Sequence, residues 1–173
     1  VAQRAQSLLK AQGLTAAIDG CRGLDHGAWA PLLYVYPDAS VPVVQISVQP
    51  ALGTRHHVEV GRSLKQLSEE GVLIIGSGHM THNLRDWARG AGKPEPYASE
   101  FSDWVRGKIE NRDLEALADY RSLAPHAARA HPTEEHFLPL FFALGASGNQ
   151  GKPERIYDGI EGGVLAMDSY VFH

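Results

Sequence analysis

Apolar positions along the chain follow two different rhythms, one helical and one strand-like. Ala2, Ala5, Leu8 and Leu9 fall near one another on a helical face over residues 1–12, and Gly13 supplies a stop. Residues 54–70 repeat the helical spacing with Val60, Leu64 and Leu67 and end in Glu69-Glu70-Gly71, where glycine can take the left-handed conformation that closes a helix. "TAAID" at 15–19 and "VPVVQISV" at 41–48 have strand character, the latter placing Val44, Ile46 and Val48 on one side with Pro42 near its start. "GVLIIG" at 71–76 is continuously apolar, β-branched and bounded by glycines, the pattern of a strand buried on both faces.

A strand, a helix and a second buried strand make a βαβ unit, which predicts a parallel sheet covered by helices. Further on, Phe101, Trp104, Val105 and Ile109 share a helical stripe within 98–118, and Leu114 and Leu117 follow after a break. "HPTEEHFLPLFFALGAS" opens with an N-cap signal at Thr133 and acidic residues in the first turn, then runs apolar from Phe137 to Leu144 up to Gly145. That helix is apolar on most sides, so it is expected in the interior. "GNQGKPE" at 148–154 reads as a turn-rich loop. The expected fold is therefore α/β: a mostly parallel central sheet flanked by helices, in a single domain over residues 1–173.

Composition narrows this picture. A chain of 173 residues, 43% of them hydrophobic, suits one domain with a substantial core. The net charge of −4, with Lys and Arg scattered, provides no field for nucleic acid or an anionic membrane, so neither is expected as a partner. Cys21 is the only cysteine, which excludes an intramolecular disulfide and a Cys-rich zinc module and suits a reducing cytoplasm. No apolar run approaches the roughly 18 residues needed to span a bilayer, and no signal-peptide pattern opens the sequence. A soluble, cytoplasmic protein is the expectation.

Nine histidines are the enrichment to explain. His56, His57, His126, His131 and His173 stand in contexts that suit solvated or locally hydrogen-bonded imidazoles. His82 follows a buried strand and a Gly-Ser-Gly turn, placing it just beyond the carboxyl end of a predicted parallel strand, where α/β proteins hold their ligands. The structural alternative is a helix capped by Thr81 with the imidazole merely packed against it. His79 lies in the turn itself and could reach the same cleft.

His136 sits in the predicted first turn of the apolar helix. The positive end of a helix disfavours imidazolium, leaving a neutral ring able to give a lone pair to a metal; a capping hydrogen bond near Thr133 is the alternative. His26 stands in "LDHGAW", where Asp25 could orient it, although adjacent side chains in an extended segment diverge.

Other chemistries fit poorly. "GSGHMTHN" offers a GxG after a strand but no third glycine at dinucleotide spacing and no Gly-Lys-Ser/Thr ending, so a nucleotide-binding loop is a distant alternative. Ser77 lies between Gly76 and Gly78, too tight for the GxSxG nucleophile turn.

"RGLDHGAWAPLLYVYPDASVPVVQISVQP", "GVLIIGSGHMTHNLRDW" and "HPTEEHFLPLFFALGA", in that order and followed by "GIEGGVLAMDSYVF", closely resemble the DODA-type branch of the class III (LigB-like) extradiol ring-cleavage dioxygenases. The resemblance implies an enzyme using non-haem Fe(II), often recorded with Zn(II), that opens a catecholic, DOPA-like ring beside its diol with O₂. It implies that His136 is a metal ligand, that His82 acts as acid/base and is sometimes counted among the metal ligands, and that His26 contacts substrate or oxygen. His79 receives no role from it.

These residue types suit the chemistry. A catechol can meet Fe(II) through two oxygens with a position left for O₂, and a neighbouring imidazole can carry the proton that changes hands. Two further metal-ligating histidines of the family belong to motifs resembling "GHGSP" and "AHW", and neither motif occurs in these 173 residues. The resemblance thus covers the C-terminal majority of the family's chain. It implies an N-terminal complementing segment, or a homo-oligomer, as partner. The alternative is a catalytically incomplete fragment or relative that binds a metal or an aromatic ligand.

Overall fold

The computed structural model describes residues 1–89, 93–148 and 151–173. It is mostly helical, and the expected mostly parallel central sheet is not present among the described residues. The segments 15–19, 41–48 and 72–76 do not form ladders with one another or with any other described segment. Their side chains explain why an inside-facing pattern misled: Leu73 and Ile75 remain 68% and 51% exposed, and Ile18, Val43, Val44 and Val48 are also exposed. An apolar run specifies a buried strand only when neighbouring strands satisfy its backbone and cover its faces. Such neighbours are lacking among these residues.

The helices follow the sequence more closely. α1 (Ala2–Ala11) buries Ala5 and Leu9 against Leu64 and Leu67, and Gly13 has the positive φ of a helix stop. α2 (His26–Val35) is capped by Asp25, whose carboxylate accepts from the Ala28 N–H. α3 (Gly53–Leu64) and the short α4 (Gln66–Glu69) fill the predicted 54–70 helix. Gly71, at φ 82°, ends it, and the Val72 N–H returns to the Leu67 carbonyl at 3.0 Å. After α5 (Leu84–Arg89), α6 (Pro96–Glu110) buries Phe101, Val105 and Ile109, with Trp104 at the margin. The short helices α7 (Leu114–Ala118), α8 (Tyr120–Leu123) and α9 (Ala127–Ala130) wrap the same core.

α10 (Leu138–Ser147) begins later than the sequence suggests. Thr133 is not its cap: the hydroxyl donates to Glu135 Oε1 at 2.8 Å, and His136 lies in the turn before the helix. The helix also passes through Gly145, which faces α3 so closely that a methyl there would strike the Val58 carbonyl oxygen, and is closed instead by Gly148 in the left-handed conformation. Two residues of the 148–154 loop, Asn149 and Gln150, lie outside the described residues.

The strands that do form are short and antiparallel. β1 (Glu154–Tyr157) pairs with β4 (Ser169–Val171), and β2 (Ile160–Glu161) pairs with β3 (Leu165–Ala166). β3 is buried in the main core, which also contains Phe101, Tyr120, Phe137, Phe141 and Val164. Asp168 anchors this end, accepting from the Ser102 hydroxyl of α6 at 2.9 Å and pairing with Arg155 of β1 at 2.7 Å. No helix among the described residues is long and apolar enough to cross a membrane.

Candidate functional site

The stretch from Gly76 to Asn83 crosses the molecule between β3 and the turn that precedes α10. Glycine is needed where it passes that turn: a methyl at Gly78 would collide with the His136 carbonyl oxygen, and one at Gly76 with that of Pro139. Immediately afterwards, every backbone N–H finds a distant partner. His79 donates to the His136 carbonyl at 2.8 Å, Met80 and Thr81 to that of Ala166 at 3.1 and 3.4 Å, and His82 to that of Ala130 at 2.8 Å.

Thr81 does not cap α5. Its fully buried hydroxyl donates to the Val164 carbonyl and accepts from the Ala166 N–H, each at 2.7 Å, which sews the segment to β3. Asn83 caps α5 instead, its side-chain oxygen accepting from the Asp86 N–H at 3.2 Å. The expected Gly-Ser-Gly turn does not form: residues 76–78 run without a turn and are a place of backbone contact between two segments, with His79 and His82 fixed just beyond them.

His82 and His136 meet ring to ring, with centroids 3.5 Å apart and planes inclined by 13°. His79 stands 5.1 Å from His82 and 5.9 Å from His136, and His26 lies 6.5 Å from His136. All three histidines proposed from the sequence, from segments far apart in the chain, are thus drawn together, and His79 joins them. His26 is the exposed member, at the start of α2; Asp25 does not orient it, because that carboxylate caps the helix and accepts from the Gln45 side chain at 2.6 Å.

Burial holds His79, His82 and His136 below the ordinary imidazole range, since the charged ring loses hydration. Neighbouring imidazoles push in the same direction for each, while Glu161 opposes the effect at His79 and Glu135 opposes it at His82 and His136. Neutral rings with free lone pairs are the consequence near neutral pH.

Two buried nitrogens make the cluster suitable for a cation. Nδ1 of His79 and Nδ1 of His136 have no hydrogen-bond partner; the latter lies 3.4 Å from Glu135 Oε1 without the geometry of a hydrogen bond. An orphaned buried imidazole nitrogen is costly unless something takes up its lone pair. The donor chemistry fits a borderline metal such as Fe(II) or Zn(II). Among the described residues, however, no group of three or more His, Cys, Asp or Glu is arranged to hold one ion. The cavities beside Ile109, Leu117 and Phe172 and beside Lys152 and Arg155 are lined by other residues.

Residues 1–172 match the family described as the catalytic LigB subunit of aromatic ring-opening dioxygenase. The chain belongs to the LigB family. A relative from Beta vulgaris named 4,5-DOPA dioxygenase extradiol is 42% identical over 99% of this chain and 65% of its own length. The Escherichia coli protein of the same name is 37% identical over 84% of this chain and 55% of its own length. The crystal structure of an uncharacterized Escherichia coli K12 protein superimposes with a TM-score of 0.83 at 34% identity, covering 97% of this chain and 70% of that one. This LigB-family chain thus spans about 65% of the length of the Beta vulgaris relative.

One histidine escaped the sequence reading, and another was expected near the cleft without a role. The latter is His79, which stands beside both His82 and His136. His131 is fully buried, donates from Nε2 to the Met80 carbonyl at 2.8 Å, and stacks on Phe137 with centroids 4.7 Å apart. No local pattern announced it. Of the other set-aside imidazoles, His57 bonds locally to Gly53 and Gln49 and His56 to Gln49, whereas His126 reaches Glu100, 26 positions earlier, and His173 lies 3.5 Å from the Glu154 carboxylate.

Proposed function

We propose that this chain carries part of the centre of a metal-dependent extradiol dioxygenase that opens a catecholic, DOPA-like ring with O₂. The observation that carries this reading is the convergence of His26, His82 and His136 in a chain of the LigB family. The names of the relatives supply the substrate class. His136 and His82 would hold Fe(II), with Zn(II) as the alternative ion, through neutral imidazole nitrogens.

When bound, the metal would supply the redox chemistry that brings the aromatic ring and O₂ to react. The chain's own residues do the rest. His82, neutral and half-buried, can accept a proton from a catechol hydroxyl at a ring nitrogen and return it later. His26, at the exposed rim of the cluster, would donate a hydrogen bond to an oxygen of the substrate or of O₂. The remaining metal ligands would come from the part of the family's length that this chain does not match, supplied as a complementing segment, or else from a second copy of the chain in a homo-oligomer.

A second reading has a specific observation behind it. Because the described residues do not arrange three ligands around one point, the chain by itself could serve as a module that binds a metal or an aromatic ligand without turning it over. The experiment that separates the two adds the unmatched portion of a relative in trans, loads Fe(II), and follows catechol ring opening by absorbance under air. Ring opening that disappears in His82→Ala at matched Fe(II) occupancy, while catechol binding persists, supports the enzyme. Full metal occupancy without turnover supports the module.

A further inference from the structure

Beside α2, which carries His26, two backbone segments carry the imidazole cluster, 79–82 and the turn at 134–137, and one buried side chain touches both. His131 has no solvent exposure. Its Nε2 must be the protonated nitrogen, because the atom 2.8 Å away is the Met80 carbonyl oxygen, which can only accept. Its ring lies nearly parallel to Phe137, 4.7 Å away and inclined by 24°, and Phe137 adjoins His136. Its other faces are closed edge-on by Phe101 and Tyr120.

The main chain around His131 is held as firmly. Arg121 donates to its carbonyl at 2.6 Å, and the preceding carbonyl, of Ala130, receives the His82 N–H. His131 is therefore clamped on its own backbone while its ring spans the two histidine-bearing segments. Nδ1 makes no hydrogen bond, so Nε2–H to Met80 is its single side-chain polar link.

We propose that His131 is the positioning residue of this centre: its Nε2–H bond to Met80 and its stack on Phe137 set the distance and angle between the His82 and His136 rings. The proposal rests on the reading that these two rings serve one site. A hydrophobic residue of similar shape could fill the same space, but it could not grip the 79–82 segment at its carbonyl. A donor is required for that.

The test compares the chain with H131F, which keeps an aromatic ring and loses the donor, and with H131Q, whose carboxamide N–H can reach the same carbonyl. Three quantities are read: cooperative thermal unfolding, nuclear Overhauser contacts between the His82 and His136 rings, and Zn(II) affinity by calorimetry. H131F is expected to unfold cooperatively, to lose the ring-to-ring contacts, and to bind Zn(II) about 10–100-fold more weakly, the usual range for residues that orient ligands. H131Q is expected to restore both. Wild-type ring contacts in a folded H131F overturn the proposal, as does an H131Q that loses them. If H131F does not fold, H131Q decides alone in the same two directions. If the unaltered chain binds no Zn(II), the metal reading fails, while the ring contacts still decide the role of His131.

Discussion

At the scale of single residues, the chain keeps imidazoles neutral by burying them. His131 is the extreme case, pushed down to about 3 by burial despite the opposing bond to Met80. The unfolded chain takes up a proton at this residue near pH 6.5, and the folded chain does not until far lower. The unfolded state therefore binds more protons as pH falls below 6.5, and stability is lost across that window. Between pH 6.5 and 4.5 this residue alone should cost about 2–3 kcal/mol, to be read from urea unfolding midpoints at each pH. A chain whose stability is level over that range would contradict this burial. His79, His82 and His136 act in the same direction, since burial lowers them too. Their candidacy was legible in the sequence for His82, His136 and His26, through motif context. His131 was not, because what defines it is a contact across 51 positions with Met80.

At the scale of elements, the site depends on how the 76–83 segment is fastened. Thr81→Val keeps the volume but leaves the Val164 carbonyl and the Ala166 N–H without their buried partner. A loss of about 1–3 kcal/mol is expected from unsatisfied buried groups, measured by denaturant unfolding; a change within error would mean that water or relaxation satisfies them. Gly78→Ala should also destabilise, by about 1–3 kcal/mol, because the methyl meets the His136 carbonyl and the segments must separate. It should further weaken Zn(II) binding, which calorimetry would report. The amphipathic helices could be read from periodicity, since burial of Phe101, Val105 and Ile109 is settled within one turn-repeat. The start of α10 could not, because the Thr133 hydroxyl finds Glu135 before it can reach a backbone N–H.

At the scale of the whole molecule, the parallel sheet is the expectation that failed, and its failure is informative. Leu73, Ile75, Ile18 and Val43 have the composition of interior strands and the exposure of a surface. α2 adds to this: Trp29, Leu33 and Tyr34 are exposed on a helix that buries none of its residues. Apolar area of this kind is a docking surface or an aggregation liability. The chain by itself should bind an environment-sensitive hydrophobic dye and self-associate, and adding the unmatched portion of a relative should suppress both; a dye-silent monomer would contradict this.

The central claim is that His82 and His136 are ligands of one metal ion. Calorimetric titration of Zn(II) into the purified chain, beside His82→Ala and His136→Ala, tests it most directly. The account predicts saturable binding by the chain that weakens at least about tenfold in each variant, since removing a ligand should cost no less than disturbing its support. Equal binding by all three, or none by any, would contradict it.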